Sequence, residues 1–165
     1  MIFIAHRGNI NGKNPDLENK PSHILQVLEQ GFHVEIDVRY IDDKFVLSHD
    51  LISPEQVNEE YIVDESFLEH PNLWCHAKDA EAFEMMLMNV NIHCFYHEND
   101  EYTLTSKGII WSYPGALPIY NSILLNFDKN YTFNEVPSNC LGICSDYVEI
   151  LFEQYKIINN GNNEE

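Results

Sequence analysis

The sequence predicts a single α/β domain, and two observations support this fold class. Short apolar runs of strand length alternate with amphipathic helical patterns along much of the chain. With 165 residues, 44% of them hydrophobic, the chain has the length of one domain and enough apolar side chains to bury a core. We therefore expect one domain over residues 1–158, followed by a disordered polar tail at residues 159–165.

Strand and helix patterns alternate through the first half of the chain. In order, this half is predicted to contain a strand at residues 2–5, a polar loop at 9–19, a helix from Pro21 to a stop at Gly31, a strand at 33–38, a turn at 42–43, a strand at 44–48 and an acidic, mostly irregular segment at 55–69 with one helical turn. Both helix limits agree with the preference for proline in the first turn and for glycine just after the end.

The second half begins in the same way and then changes. In order, it is predicted to contain a strand at residues 73–77, a helix capped by Asp79, a strand at 92–96, β-like segments at 102–105 and 108–113, strands at 122–126 and 141–148, and a last helix at 148–158. The apolar side of the helix after Asp79 is formed by Ala80, Phe83, Met86, Leu87 and Val90. No helical pattern lies between residues 97 and 113, so we expect a hairpin where an α/β rhythm would place a helix.

The charge balance of the chain disfavours two classes of partner. The formal net charge is −18, which argues against binding to nucleic acids or to anionic membranes. An anionic substrate therefore needs a local reversal of the field, for which Arg7, Lys78 and a bound metal ion are candidates. No apolar run approaches the roughly 20 residues of a membrane span.

The start of the sequence and its cysteines indicate a cytoplasmic protein with reduced thiols. Met1 leads directly into a strand, without the basic segment that begins a signal peptide. Cys75, Cys94, Cys140 and Cys144 form no CxxC pair, and reduced thiols are expected in the cytoplasm. Cys140 and Cys144 could hold a metal ion together, although a thiol within a strand is more often part of the core.

Four polar clusters interrupt or end the apolar runs of the first fifty residues. They are His6-Arg7-Gly8, Glu18-Asn19, the pair Glu35 and Asp37, and His49-Asp50. Ionised side chains are costly to bury unless they are paired or bind a metal ion. Their presence in strand-like segments therefore indicates a functional site.

Glu35 and Asp37 lie two residues apart in a strand pattern, so their side chains share one face of the sheet. Two adjacent buried carboxylates repel each other, and a cation between them removes the repulsion. Their hard oxygen atoms suit Mg²⁺, Ca²⁺ or Mn²⁺. The alternative is an edge strand whose acidic face lies in water.

His6 and His49 each end an apolar run, and together they can supply a base and an acid near neutral pH. Either histidine alone could instead be a hydrogen-bonded structural residue. Arg7 is a fixed cation whose planar guanidinium suits a phosphate oxygen. Gly8 allows the chain to turn sharply after the first strand.

The order of these clusters resembles the N-terminal signature of the glycerophosphodiester phosphodiesterase family, one of the phosphatidylinositol phospholipase C-like barrels. The matching segments are HRG at residues 6–8, EN at 18–19, ExD at 35–37 and HD at 49–50, with weaker likeness in WCHAK at 74–78 and GICSDYVE at 142–149. The resemblance implies a TIM-type (β/α)8 barrel, a divalent metal ion and a small-molecule phosphodiester substrate. It also implies that His6 and His49 are acid and base and that Glu35 and Asp37 bind the metal. Because this barrel type usually takes about 250 residues, we expect a trimmed barrel in which loops or a hairpin replace some helices.

One position departs from the resembled family. Relatives commonly carry Glu-x-Lys in the strand at 73–77, whereas this chain has His76-Ala77-Lys78. Imidazole suits Mn²⁺, Zn²⁺ or Fe²⁺ better than Ca²⁺ or Mg²⁺. In the resembled family the glutamate of Glu-x-Lys is the third metal-binding carboxylate. The implied ligand set here is Glu35, Asp37 and His76, for Mg²⁺, Ca²⁺ or Mn²⁺, with Zn²⁺ possible because of the imidazole. Alternatively, Glu98 or another carboxylate replaces the missing one, or metal affinity is lost. Lys78 keeps the family position and could hold a phosphate oxygen, or it is an ordinary lysine at a strand end.

The sequence therefore favours a metal-dependent phosphodiester hydrolase that uses two histidines. A rival interpretation is a non-catalytic barrel that binds a phosphorylated ligand or a protein partner, which the short length and His76 favour and the pair of histidines disfavours. A third is a phospholipase-like or lyase-like relative with a different leaving group.

Overall fold

The computed structural model describes residues 1–161, which form a ten-stranded mixed sheet and four α-helices. The strands are β1 (Ile2–His6), β2 (His33–Ile41), β3 (Lys44–Leu47), β4 (Ile62–Val63), β5 (Leu73–Ala77), β6 (Cys94–Tyr96), β7 (Tyr102–Leu104), β8 (Ile110–Ser112), β9 (Ser122–Leu125) and β10 (Gly142–Ser145). The helices are α1 (Pro21–Glu29), α2 (Glu65–Leu68), α3 (Ala80–Leu87) and α4 (Val148–Gly161).

Parallel pairing connects most of the sheet. Strands β6, β5, β2, β1, β10, β9 and β8 are neighbours in that order, and all of these pairs are parallel. The second half of β2 also pairs antiparallel with β3, and β7 pairs antiparallel with β8. The segment after β7 reaches the other end of the sheet, since the Ser106 N–H donates to the Cys94 carbonyl at 2.8 Å.

The two faces of the parallel strands build two separate cores. Alternate residues of the strands point to opposite sides, so one set packs against the helices and the other packs among the strands. The second set comprises Ile4, Trp74, Phe95, Trp111, Ile123, Leu125 and Cys144. The ring centroids of Phe95 on β6 and Trp111 on β8 are 4.6 Å apart. The sheet therefore curls until strands that are distant in its order face each other.

The helical layer is trimmed most on one side of the molecule. Helices pack against β1, β2, β5, β6 and β10. Between β6 and β10 the described chain contains the β7–β8 hairpin, β9, irregular loops and one 3₁₀ turn at Phe133–Glu135, with no α-helix. The hairpin lies where the sequence predicts one, after residue 97.

Several boundaries differ from the sequence-based prediction. Helix α3 ends at Leu87, so Val90 lies beyond the helix and is exposed instead of covering its apolar side. The segment 55–69 is more ordered than predicted, because it contains two 3₁₀ turns, β4 and α2. Helix α4 continues to Gly161, so residues 159–161 of the predicted tail are helical, and residues 162–165 lie outside the described residues.

Within residues 1–161, no helix combines the length and the apolar character that crossing a membrane requires.

Candidate active site

Polar side chains meet where the carboxyl ends of four neighbouring parallel strands come together. His6 ends β1, Glu35 and Asp37 lie on β2, His76 lies on β5, and Asp146 follows β10. The strand register places His6 opposite Glu35 and Asp37 opposite His76. Because side chains at paired positions of parallel strands point to the same face, these five groups converge on one end of the curled sheet.

Glu35, Asp37 and His76 form a group with the spacing of a metal site. One potential ligand atom from each lies within 4.8 Å of the others. His76 Nδ1 is 3.5 Å from Glu35 Oε1 and 3.7 Å from Asp37 Oδ1. The two carboxylates are only 2% and 1% exposed. Two buried carboxylates and an imidazole at these distances fit a divalent cation.

Asp37 is also surrounded by cationic and amide groups. Arg7 Nε lies 2.9 Å from Asp37 Oδ2, as an ion pair whose N–H direction does not make a hydrogen bond, and Lys78 Nζ lies 3.7 Å from Oδ1. The Asn19 amide donates to Asp37 Oδ2 at 2.9 Å and accepts from the Asp37 N–H at 3.0 Å. Burial alone would raise the pKa of Asp37, but Arg7, His76 and Lys78 lower it below the usual range. Asp37 therefore remains ionised at neutral pH.

Arg7 is engaged by protein carboxylates on two sides. Besides its ion pair with Asp37, its Nη1 donates to Glu18 Oε2 at 3.2 Å. Its backbone has a φ of 52°, a region that non-glycine residues rarely adopt. This turn lets the Arg7 N–H donate to Glu35 Oε2 at 3.2 Å. Arg7, which the sequence predicts to bind phosphate, thus also helps to position Glu35 and Asp37.

His6 is paired with a carboxylate from the far end of the chain. Its Nδ1 lies 2.8 Å from Asp146 Oδ1, which also accepts from the Asn9 amide at 2.8 Å. Burial alone lowers the pKa of His6, but the bond to Asp146 and the charge of Glu35 raise it above the ordinary value. An ionised carboxylate can only accept, so Nδ1 carries the proton. The opposite ring nitrogen, Nε2, is 4.0 Å from Glu35 Oε2.

His49 is placed differently from the other predicted residues. It lies in the loop after β3, its side chain is 45% exposed, and its Nδ1 is bonded to Asp50 Oδ1 at 2.8 Å. It lines the same cavity as His6, of about 330 Å³, together with Arg7, Glu35, Asp37, His76 and Lys78. A second, polar cavity of about 480 Å³ adjoins it across Arg7 and His49. All seven residues singled out in the sequence thus line one cavity, of a size that suits a small molecule.

In the group formed by Glu35, Asp37 and His76, no carboxylate replaces the third metal-binding carboxylate of the resembled family. Glu98 lines the cavity but is exposed and accepts a hydrogen bond from the Tyr96 hydroxyl at 2.8 Å. Within residues 1–161, the group with metal-ligand spacing is Glu35, Asp37 and His76. Glu98 does not belong to this group.

Sequence reasoning did not identify the roles of Asp146 and His97. Asp146 lies in the segment GICSDYVE, and the weak likeness of this segment to the closing strand of the resembled barrels is the sequence feature that could have identified it. His97 stacks on His76 with ring centroids 4.8 Å apart and 5° between the ring planes. Burial and the neighbouring His76 lower the pKa of His97 to about 4, so it is neutral at pH 7. The sequence feature that could have identified His97 is the two-residue period of strands, which puts Phe95 and His97 on one face.

The fold of this chain is similar to that of a solved phosphodiesterase. The crystal structure of a glycerophosphodiester phosphodiesterase from Thermotoga maritima superposes with a TM-score of 0.51 and 15% sequence identity, covering 93% of this chain and 98% of that chain. At this identity the likeness concerns the fold alone, and it confirms the predicted class of a trimmed TIM-type α/β fold. No protein-family model matches the sequence, and no curated protein matches it.

Proposed function

We propose that this protein is a metal-dependent phosphodiesterase that acts on a small glycerophosphodiester-type substrate. The observation that carries the proposal is the convergence of Glu35, Asp37 and His76 beside the His6–Asp146 pair, at the carboxyl ends of parallel strands. Active sites of TIM-type barrels lie at this end of the strands. The similarity of fold to a glycerophosphodiester phosphodiesterase supports the same reaction class.

The metal ion would be held by Glu35, Asp37 and His76. Their donor atoms are close enough to share one cation, and the two carboxylates are almost completely buried. When bound, a divalent ion supplies Lewis acidity toward a phosphoryl oxygen and favours ionisation of an attacking hydroxyl. Lys78, 3.7 Å from Asp37 within the cavity, is available for a phosphate oxygen. The contacts of Arg7 with Asp37 and Glu18 use its Nε and Nη1 atoms. Its Nη2 atom can donate to a phosphate oxygen of the substrate.

The two histidines would move the protons of the reaction. In the proposed reaction a neighbouring hydroxyl of the substrate attacks phosphorus, and one histidine accepts the hydroxyl proton as the new P–O bond forms. The other histidine donates a proton to the alcohol oxygen as the old P–O bond breaks, which leaves a cyclic phosphate. The bond from Asp146 fixes the tautomer of His6, so that Nε2 is the atom that exchanges a proton. His49 faces the same cavity from the loop after β3.

Turnover of a chromogenic phosphodiester whose other alcohol is glycerol, and which therefore carries the neighbouring hydroxyl, tests this function when it is combined with calorimetric titration of Mn²⁺ into the metal-free protein. We expect metal-dependent release of the alcohol, and we expect neither turnover nor Mn²⁺ binding in the isosteric Glu35→Gln variant. Lys44→Met, on the exposed turn-side end of β3, is the matched control and should retain both properties. Tight binding of a phosphorylated ligand without turnover by the metal-loaded protein would instead identify a non-catalytic binding barrel.

A further inference from the structure

Arg39 is a buried arginine whose hydrogen bonds all go to main-chain carbonyls. It is 7% exposed and follows Asp37 by two residues on β2. Its Nε donates to the Asp50 carbonyl at 2.7 Å, its Nη2 to the His49 carbonyl at 2.9 Å and its Nη1 to the Lys78 carbonyl at 3.2 Å. The nearest carboxylate oxygen, of Asp79, is 3.6 Å from Nη1.

Two of these carbonyls, those of His49 and Asp50, belong to a segment that the sheet does not hold, whereas the Lys78 N–H still donates to the Val38 carbonyl at 2.8 Å. Pairing between β2 and β3 ends at Val38 and Leu47, and the last main-chain bond runs from the Ser48 N–H to the Asp37 carbonyl. In the part of the chain that the structure describes, the bonds from outside residues 48–50 to the main chain of His49 and Asp50 come from Arg39, and within the loop the Ser48 hydroxyl also donates to the Asp50 carbonyl at 3.0 Å. The third bond reaches Lys78, just beyond the end of β5.

The energetics of this arrangement indicate a positional role. Burying a guanidinium costs several kcal/mol of desolvation, which the single Asp79 carboxylate at 3.6 Å offsets only in part, and an apolar residue of similar size would avoid this cost. A lysine ammonium is a compact charge and lacks the rigid, planar set of donors that can bond three separate carbonyls. The guanidinium geometry is therefore suited to holding the His49 loop in register with the end of β5.

We propose that Arg39 is a positioning residue that holds His49 at the mouth of the cavity. The inference rests on the proposed function, because a role for His49 in proton transfer is part of that proposal. Arg39 does not line the cavity of about 330 Å³ that His49 faces. It acts through the main chain of residues 49 and 50, so that the imidazole of His49 is presented to the substrate without Arg39 touching it.

A double-mutant cycle between Arg39→Lys and His49→Ala tests this role. We expect Arg39→Lys to lower kcat by roughly 10–10²-fold with KM changed less than about threefold, since small misplacements of a reacting group have effects of this size. In the His49→Ala background, Arg39→Lys should change kcat by less than about twofold, because the residue that it positions is already absent. Additive losses in the double variant would show that Arg39 acts elsewhere and would overturn the proposal.

A second measurement does not depend on activity. Amide ¹⁵N relaxation should show ordered His49 and Asp50 in the wild type and in Lys44→Met, with order parameters near 0.85, and values below about 0.6 in Arg39→Lys. The amide of Val46, inside β3, should remain ordered in all three proteins. Unchanged order at residues 49 and 50 in Arg39→Lys would refute the positioning role. If the wild type has no turnover, the proposed function fails and this measurement alone decides the role of Arg39.

Discussion

Stability should fall in mildly acidic solution because of a histidine at the end of the sheet opposite to the candidate site. His93, next to β6, is 8% exposed, and its Nε2 is 2.8 Å from the Thr105 hydroxyl oxygen. Thr105 Oγ1 accepts from the Ile109 N–H, so its hydroxyl proton is free to be donated to an unprotonated Nε2. Burial and, next, the charge of Lys107 lower the pKa of His93 from 6.5 to about 4. The folded state thus favours the neutral ring.

The sign and size of the effect follow from linkage. Between pH 6.5 and about pH 4 an unfolded chain protonates this histidine, whereas the folded chain does not. The contribution of His93 to stability is therefore fully present above pH 6.5 and is lost progressively as the pH falls toward 4. The difference between these two pKa values corresponds to about 3 kcal/mol. This is a large share of a typical folding free energy of about 5–15 kcal/mol.

Urea unfolding at several pH values between 7.5 and 4.5 tests the prediction with His93→Gln, which keeps a hydrogen-bonding side chain that does not titrate. Many carboxylates begin to protonate in the same range, so the informative quantity is the difference in unfolding free energy between the variant and the wild type. The His93→Gln variant should be less stable than the wild type at pH 7.5, because it loses the imidazole whose ring centroid is 4.1 Å from that of Trp74. This difference in unfolding free energy should shrink by up to about 3 kcal/mol at pH 4.5. His49→Gln removes an exposed imidazole and is the matched control. A difference in unfolding free energy that stays constant with pH would refute the reasoning.

Three further predictions concern the candidate site. Glu35→Gln and Asp37→Asn should each abolish divalent-ion binding in calorimetry while thermal unfolding remains cooperative; unchanged affinity in both would remove the metal assignment. His76→Glu should strengthen Mg²⁺ and Ca²⁺ relative to Mn²⁺ and Zn²⁺, because a carboxylate is a harder ligand than imidazole, and an unaltered affinity ranking would exclude His76 as a ligand. His6→Ala and His49→Ala should each lower kcat by roughly 10²–10⁴-fold and remove one limb of the pH–rate profile; near wild-type turnover would make that histidine structural.

The grouping of the site residues was predictable where it depended on strand geometry. Glu35 and Asp37 share a face because they are two residues apart, and His76 joins them because parallel strands end at a common edge. These are local rules that a sequence pattern can express. The same rules predicted the hairpin after residue 97, since that segment lacks a helical period.

Other features of the site depend on contacts between distant parts of the chain. Asp146 bonds His6 from 140 residues away, and no local pattern specifies that partner. Arg7 was expected to bind phosphate, but its position between Asp37 and Glu18 depends on how the loop at residues 9–19 folds over the strand ends. The role of Arg39 depends on carbonyl groups, which every residue possesses and which a sequence therefore does not reveal.

The distribution of the helices explains how a short chain can retain a buried charged site. The charged residues of the site lie on β1, β2 and β5 (His6, Glu35, Asp37 and His76) or directly after β10 (Asp146). Helices α1, α3 and α4 pack on the outer faces of these four strands. Buried charges require neighbours that are held in place, because a misplaced partner leaves a carboxylate unpaired at a cost of several kcal/mol. Among the strands without a packed helix, β8 and β9 contribute Trp111 and Leu125, which form part of the apolar wall of the cavity. Apolar contacts are non-directional and tolerate small shifts better than a paired charge does. Loss of helices on that side therefore disturbs the charged half of the site least.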